Sequence, residues 1–514
     1  MSVMGRRFVS AGRDQLFLMP PDVREWLPAG HLAWAVLDAV AGLDLSGFEA
    51  RYRSDGQGRP AFDPQLMIGL VLYCYCKGTR SSRAVELATF DDVGARVICG
   101  GLHPDHATIA RFAARHEEPL KGLLVASLAA CARQGLVKVD VVAGDGTMVK
   151  ANASASSNAT AAELDEQVAE LEALLEAEVA RWLAQARAAD QADAERDRDD
   201  PPGGGGPGTL AVIAAKIARR QQARAVLAAR DQASAEGAER RDKVTRAQAR
   251  AARAAARAQR EEAACQARAA RWQARAAAKA AAGSRKGPDG RVPVPAEASA
   301  KVAAAREAER KARHAAAAAQ AAQAAAAAAP PGQASTTDPA SRLMPAKKGG
   351  YDQLYNVQVL AGACQVILAI TTHDNPADTR ALHPLLAAGR ANLDAAGITA
   401  PIGAALFDAG YASDANLTAP CDPDLHVALT RDGRPPGAAP QSWQDMAAKL
   451  ATPAGTALYK KRGAIVEPVF AQLFSRLGRD LHYRGDRVSL ELCLWAASHN
   501  YLKAIRRAAR PAPA

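Results

Sequence analysis

Aromatic residues are scarce in this 514-residue chain: Phe, Tyr and Trp make up 5% of it, and neither Phe nor Tyr occurs from Asn152 to Ala340. Those 189 residues are dominated by Ala, Arg, Gln and Glu, a bias that excludes an ordinary packed core. Cysteine is sparse too. The eight residues are scattered with no CxxC pair, which speaks against a disulfide scaffold or a zinc site and for a reducing compartment. No apolar run reaches the ~18 residues of a membrane span, and MSVMGRRFVSAGRDQLFLMP lacks the apolar centre of a signal peptide. The expectation is a cytoplasmic protein with no membrane partner. Acidic residues are outnumbered, 54 against 65 Lys plus Arg, giving +11 and a pI near 9.3. That balance favours a polyanionic partner and says nothing of the fold.

What is present changes along the chain. Residues 1–135 mix apolar residues, aromatics and turn signals and read as a helical domain. Asp63-Pro64 opens an apolar run, Leu66–Tyr75, with the proline suited to a first helical turn. Thr79-Arg80-Ser81-Ser82-Arg83 opens a second helix and His103–Phe112 a third, a spacing that suits a helix-turn-helix-like module. In such a module Arg80, Arg83, Thr108 and Arg111 are the candidates to meet a major groove; a polar-surfaced helical cap fits the same pattern. Residues 152–340 form an insertion. Leu164, Val168, Leu171 and Leu175, with Trp182 on the same seam, step at heptad spacing and call for a partner helix. Pro201–Pro207 breaks the chain, a long Ala/Arg segment follows, and Pro330-Pro331 closes a second arm. This region reads either as a solvated helical hairpin or spacer, or as an arginine-lined arm that grips phosphates or a second subunit.

Three carboxylates stand out. The β-branched run Val137–Ala143 leads into Gly144-Asp145-Gly146-Thr147, placing Asp145 at the end of a buried strand. Leu354–Leu360 and Gln365–Thr372 read as a hairpin, Thr379–Ala396 as a helix, and Ile402–Phe407 as a strand delivering Asp408. A further strand, Leu425–Leu429, precedes a polar loop, after which Val466, Val469, Leu473 and Leu477 mark one helix face with Glu467 beside it. Alone, an Asp-Gly after a strand is a turn and a first-turn Glu is a dipole partner. Their order is more informative. Strand–Asp, hairpin, helix, strand–Asp, strand, helix–Glu is the order of a ribonuclease-H-like α/β core, in which carboxylates from separate elements hold two Mg²⁺ ions. The expected core comprises residues 136–151 and 341–507, with the helical insertion after its first strand.

At these residues the sequence resembles the bacterial insertion-sequence DDE transposases of the insertion-sequence-eleven-eighty-two-like branch. Tyr52-Arg53, Gly58-Arg59-Pro60 and Pro104–Phe112 resemble that family's helical leader, and Gly144–Thr147 with Lys150–Ser154 its first aspartate motif. Thr337–Met344 and Tyr351–Val357 look like the re-entry after the insertion, and Asp408-Ala409-Gly410-Tyr411 like the second aspartate motif. The most specific match is Tyr459-Lys460-Lys461-Arg462-Gly463-Ala464-Ile465-Val466-Glu467, similar to the family's Tyr–Arg–Glu signature. The resemblance implies a Mg²⁺- or Mn²⁺-dependent transposase that cleaves terminal inverted repeats and joins them to target DNA. Asp145, Asp408 and Glu467 would bind metal, Tyr459 and Arg462 would position DNA, and the chain would act as a homo-oligomer, nucleoid-associated when bound. The family usually carries Lys seven residues after the Glu; here Phe474 stands there, with Arg476 or Arg479 as the nearby substitute. That departure leaves a catalytically impaired, transposase-derived DNA-binding protein as the alternative. A structural coiled-coil protein would explain the arm and not the carboxylates.

Overall fold

The computed structural model describes residues 22, 25–52, 60–195, 207–232, 235–282, 291–327, 332–346, 350–373, 375–429 and 440–509. The features read at Arg53, at Gly58-Arg59, at residues 201–206, at Pro330-Pro331 and in the polar loop after Leu429 lie outside these residues. Two compact units emerge, one of Met1–Asn158 with Ser335–Ala514 and the other of Ala159–Ala334. Among the described residues no helix is long and apolar enough to cross a membrane.

The first unit opens with helices α1 (Leu32–Ala41), α2 (Ser46–Glu49), α3 (Pro64–Lys77), α4 (Ser82–Asp91), α5 (Val93–Ile98), α6 (His106–Arg115), α7 (Glu117–Lys121) and α8 (Leu123–Arg133). Local chemistry starts them. Asp63, Ser81, Asp92 and Asp105 each accept a backbone N–H at the head of a helix, and Pro64 occupies the first turn of α3. Every residue from Met67 to Cys76 is buried, so α3 is an interior helix, apolar on all sides. It stops at Gly78, whose φ of +92° an L side chain resists and where a Cβ would lie 2.5 Å from the Arg476 carbonyl.

After β1 (Val141–Lys150) the chain enters the second unit, which is bounded by a small ribbon pairing β2 (Asn158–Thr160) with β3 (Gln333–Ser335). Between these strands, α9 (Ala161–Glu195) packs with α10 (Pro207–Gln232), and α11 (Ala235–Ala281) with α12 (Ala300–Ala327). The first turns of the heptad seam find their partner in α10: Leu164 is buried with Ala223 and Leu227, while Trp182 stays 45% exposed. Small side chains line the other pair, with Val244, Ala258 and Cys265 buried on α11 and Val302 and Ala305 on α12. Arg224–Asp165 and Arg306–Glu262 ion pairs tie the respective partners together.

The first unit resumes with β4 (Arg342–Pro345), β5 (Tyr351–Gly362), β6 (Ile367–His373), α13 (Leu382–Ala395), β7 (Ala404–Phe407), α14 (Asp414–Thr418) and β8 (Asp424–Val427). Helices α15 (Gln441–Ala451), α16 (Pro453–Tyr459), α17 (Lys461–Leu477) and α18 (Arg487–Ala508) complete it. The sheet order is β4-β5-β1-β7-β8, with β6 also on β5. β5 runs antiparallel to β1, whereas β7 is parallel to β1 and β8 to β7. Leu382 and Leu385 of α13 pack with Leu360, Leu368 and Phe407 in one core. In the other core, Val466 and Val469 of α17 and Trp495 of α18 join Val357, Val359 and the α3 residues Leu70 and Tyr73. α18 also packs on α7 and α8, so the leader helices and the sheet share a core within one compact unit.

Candidate active site

Asp145 sits in the middle of β1, paired with Val359, and the strand runs on to Lys150. The strand-end position expected from Gly144-Asp145-Gly146 is therefore corrected, and the glycines serve a different purpose. A Cβ at Gly144 would lie 2.1 Å from Phe407 Cε1, and one at Gly146 would lie 2.4 Å from Gln358 Nε2 and 2.6 Å from Asp378 Oδ1. They permit close approach from neighbouring elements instead of turning the chain. Asp408 does follow its strand, directly after β7, where its Oδ1 accepts the Gly410 N–H at 2.9 Å.

The two aspartates meet on Arg462, the second residue of α17. One guanidinium nitrogen, Nη2, lies 3.0 Å from Asp145 Oδ1 and 3.3 Å from Asp408 Oδ2. The angles are poor for hydrogen bonding: Nη2 and Nε are buried without a directed partner among the described residues, so the contact is ionic. Burial is the largest influence on the Asp145 carboxyl; the charges of Asp408 and Asp378 add to it, Arg462 and the Gly146 N–H oppose it, and the net result is a pKa pushed up to about 6. Tyr459, half-buried at the end of α16, has its phenol pushed up by burial, with Arg462 opposing and both aspartates reinforcing.

Glu467 does not join them. It is exposed and lies along its own helix, where a Cβ at Gly463 would stand 3.2 Å from its Oε1. Five residues beyond Arg462 is roughly 140° around an α-helix, so the two side chains leave α17 in different directions. Among the described residues no group of three or more His, Cys, Asp or Glu is placed to hold a metal ion. Pro468 removes an N–H from the α17 ladder immediately after Glu467. The Ala464 carbonyl thereby freed accepts from Gln365 Nε2 at 3.2 Å.

The residue that sequence reasoning missed is Asp378. Its Oδ1 accepts from Asn356 Nδ2 at 2.8 Å and from Gln358 Nε2 at 2.7 Å, and Gln358 Oε1 in turn accepts from the Tyr411 hydroxyl. Its Oδ2 faces Gly410, where a Cβ would lie 3.1 Å from it and 3.0 Å from Asp408 Oδ1. A signal was present: Asn356 and Gln358 are two amides at i, i+2 within the apolar stretch Leu354–Ala361, and buried amides require partners.

The remaining candidates divide. Arg80 is internal: its Nη1 lies 2.9 Å from Glu491 Oε1 and bonds the Asp480 carbonyl, and its side chain is 8% exposed. Arg476 is likewise inside, 3.5 Å from Ser498 Oγ, with burial holding its guanidinium below the usual range. Phe474 stacks on Phe470 and meets the edge of Trp495, so an aromatic side chain fills this position against the core. Arg83 and Arg111 are exposed on α4 and α6; Thr108 bonds the α6 cap Asp105 and accepts from Arg111 Nη2 at 3.0 Å. Thr108, Arg111, Arg115, Asp63 and His103 line a cleft of about 590 Å³.

No curated protein and no solved structure matches this chain. Residues 21–115, which contain α1 to α6, match the family model described as a transposase domain (DUF772), and this match supports placing the chain with a transposase family.

Proposed function

We propose that the chain is a DNA transposase whose cleavage and joining site is built on Asp145 and Asp408. The observation that carries this reading is the meeting of two aspartates, 263 residues apart in sequence, on the single cation of Arg462. The strand order supports a ribonuclease-H-like core: β1 is flanked by antiparallel β5 with its hairpin partner β6, and by parallel β7 and then β8. The transposase-domain match supports DNA as the partner; element ends and target duplex as its specific forms, and a homo-oligomer acting on paired ends, belong to the proposal.

The reading implies Mg²⁺ or Mn²⁺. The donor chemistry fits, because the site offers hard carboxylate oxygens from Asp145 and Asp408 that meet at one point on Arg462. Asp145 and Asp408 would hold the ion, while Glu467, the third carboxylate of the motif, stands apart from them on α17. When bound, such ions activate a water or 3′-hydroxyl and stabilise the leaving oxygen. Arg462 now neutralises the aspartates, and on DNA binding its planar fork is suited to a phosphate. Tyr459 would pack beside that phosphate, and the amide-held Asp378 would keep the Asp408 loop in place.

One set of observations favours the alternative of a DNA-binding protein without cleavage: Glu467 is exposed, and Phe474 packs into the core where the resemblance expects a Lys. Nicking of plasmid DNA with Mg²⁺ or Mn²⁺ separates the two. The transposase reading expects nicking that disappears in Asp408→Ala; binding without nicking at any divalent concentration would leave the alternative.

A further inference from the structure

Charge on the second unit is segregated in a way that the site described above does not use. On α11, Arg250, Arg253, Arg257, Arg260, Arg271 and Arg275 are separated by 3, 4, 3, 11 and 4 residues. At 3.6 residues per turn these steps return each arginine to the same side, within an arc of about 80°. All six are exposed. The buried residues Val244, Ala258 and Cys265 lie on another side of the helix. From Arg250 to Arg275 the stripe extends roughly 38 Å at 1.5 Å per residue, about one turn of a DNA duplex at 34–36 Å.

The arginines of the neighbouring helix are matched internally. Arg306 reaches Glu262 at 2.7 Å, Arg310 reaches Glu307 at 2.6 Å, and Arg313 reaches Glu309 at 3.1 Å. None of the six stripe arginines has a carboxylate partner among the described residues; Arg260 donates only to the Ala256 carbonyl of its own helix. Like charges three and four residues apart weaken an isolated helix, so this arrangement calls for counter-charge from outside the unit. Between the arginines stand mainly alanines, with no large apolar row that could enter a bilayer.

We infer that this face of α11 is a sequence-independent docking surface for the phosphate backbone of duplex DNA, separate from the carboxylate site. The choice of DNA as the polyanion rests on the transposase reading. The length and spacing of the stripe match repeated contacts along a phosphate ridge, and guanidinium groups bind phosphate with directed, charge-assisted bonds. A surface of this kind fixes a duplex without selecting its bases.

The test uses the full chain and a duplex of about 40 base pairs of arbitrary sequence, with binding followed between 50 and 200 mM salt. A variant carrying Arg250→Gln, Arg253→Gln, Arg257→Gln and Arg260→Gln keeps strong helix formers at all four positions. Its log K against log salt should be shallower than wild type by about 3–4, since each phosphate contact contributes about 0.9. The matched Arg→Lys variant, folded to the same circular-dichroism spectrum, should keep the wild-type slope. An unchanged slope in the Gln variant overturns the proposal. So does a wild-type protein that prefers vesicles of anionic phospholipid to the duplex, or a Gln variant that loses self-association while binding DNA normally. Nicking with an unchanged slope removes only the stripe. A reduced slope without nicking supports the stripe and removes the cleavage reading of the carboxylate site.

Discussion

Replacing Asp145 by Asn should make the protein more stable at neutral pH while abolishing cleavage. In the folded chain the Asp145 carboxyl holds its proton up to about 6, against an ordinary value of 3.8. Between those values the native state binds more protons than the unfolded state, so stability falls as pH rises through the window. The gap corresponds to about 3 kcal/mol when fully developed at pH 7.5, and to about half of that at pH 5. Because the side chain is 21% exposed, solvent screening makes these figures upper limits. Asn keeps the shape and removes the charge, and Asp408 still faces Arg462 at 3.3 Å. Urea denaturation of both proteins at pH 5 and pH 7.5 measures the effect. The variant should gain stability at pH 7.5 and roughly half as much at pH 5. A loss at pH 7.5, or a gain independent of pH, would show that the carboxylate is a satisfied structural partner of Arg462 and refute the reasoning.

Gly146→Ala should cost about 1–3 kcal/mol by driving a Cβ into Gln358 and Asp378. Gly30→Ala, with nothing within 4 Å of its Cβ, should stay within about 0.5 kcal/mol in the same urea assay. Arg80→Gln leaves Glu491 fully buried beside a neutral partner and should cost about 3–5 kcal/mol. It should leave the salt dependence of DNA binding unchanged; the opposite pattern would return Arg80 to the DNA interface. Joining Asn158 to Ser335 through a short Gly/Ser linker should leave the first unit folded. Thr336 N and Oγ1 both donate to the Ser157 carbonyl, at 2.8 and 3.0 Å, so the two ends already meet, and loop closure depends weakly on length. Loss of cooperative unfolding in that protein would make the second unit integral to the first.

Features that depend on neighbours in the chain were legible from sequence. Asp408 at the exit of Ala404–Phe407 and the caps at Asp63, Ser81 and Asp105 follow from local patterns. Features decided by distant contacts were not. Gly144 and Gly146 look like a turn until Phe407 and Gln358 are seen pressing on them, and those residues come from other strands. Arg80 and Arg476 look like DNA ligands because exposure cannot be read from an arginine. A clue lay far along the chain, where Glu491 interrupts the apolar run of α18 and needs a buried cation. Asp378 was hidden for the converse reason. It occupies a polar loop that reads as surface, while the amides that hold it lie on β5.

The site around Arg462 balances its charges differently from the Arg80–Glu491 pair of the same unit. The buried Glu491 has a full match in Arg80 and two backbone N–H groups at 2.8 and 2.9 Å. Around Arg462, two carboxylates (Asp145 and Asp408) face one guanidinium; Asp378, held by the amides of Asn356 and Gln358, adds its charge to that of Asp408 at Asp145, whose carboxyl is raised chiefly by burial. Two carboxylates on one guanidinium leave the pair short of positive charge, and Asp378 widens that shortfall at Asp145. A structural ion pair would gain stability by shedding the extra carboxylates. A site for phosphoryl transfer keeps them, since a divalent cation would supply the missing positive charge, and Arg462 would then be free to turn to the phosphate that the cation also binds. The same arithmetic links the two halves of the proposal. Adding Mg²⁺ in the absence of DNA should raise the stability of the wild type more than that of Asp145→Asn, and equal increments would mean that the imbalance around Arg462 is not a cation site.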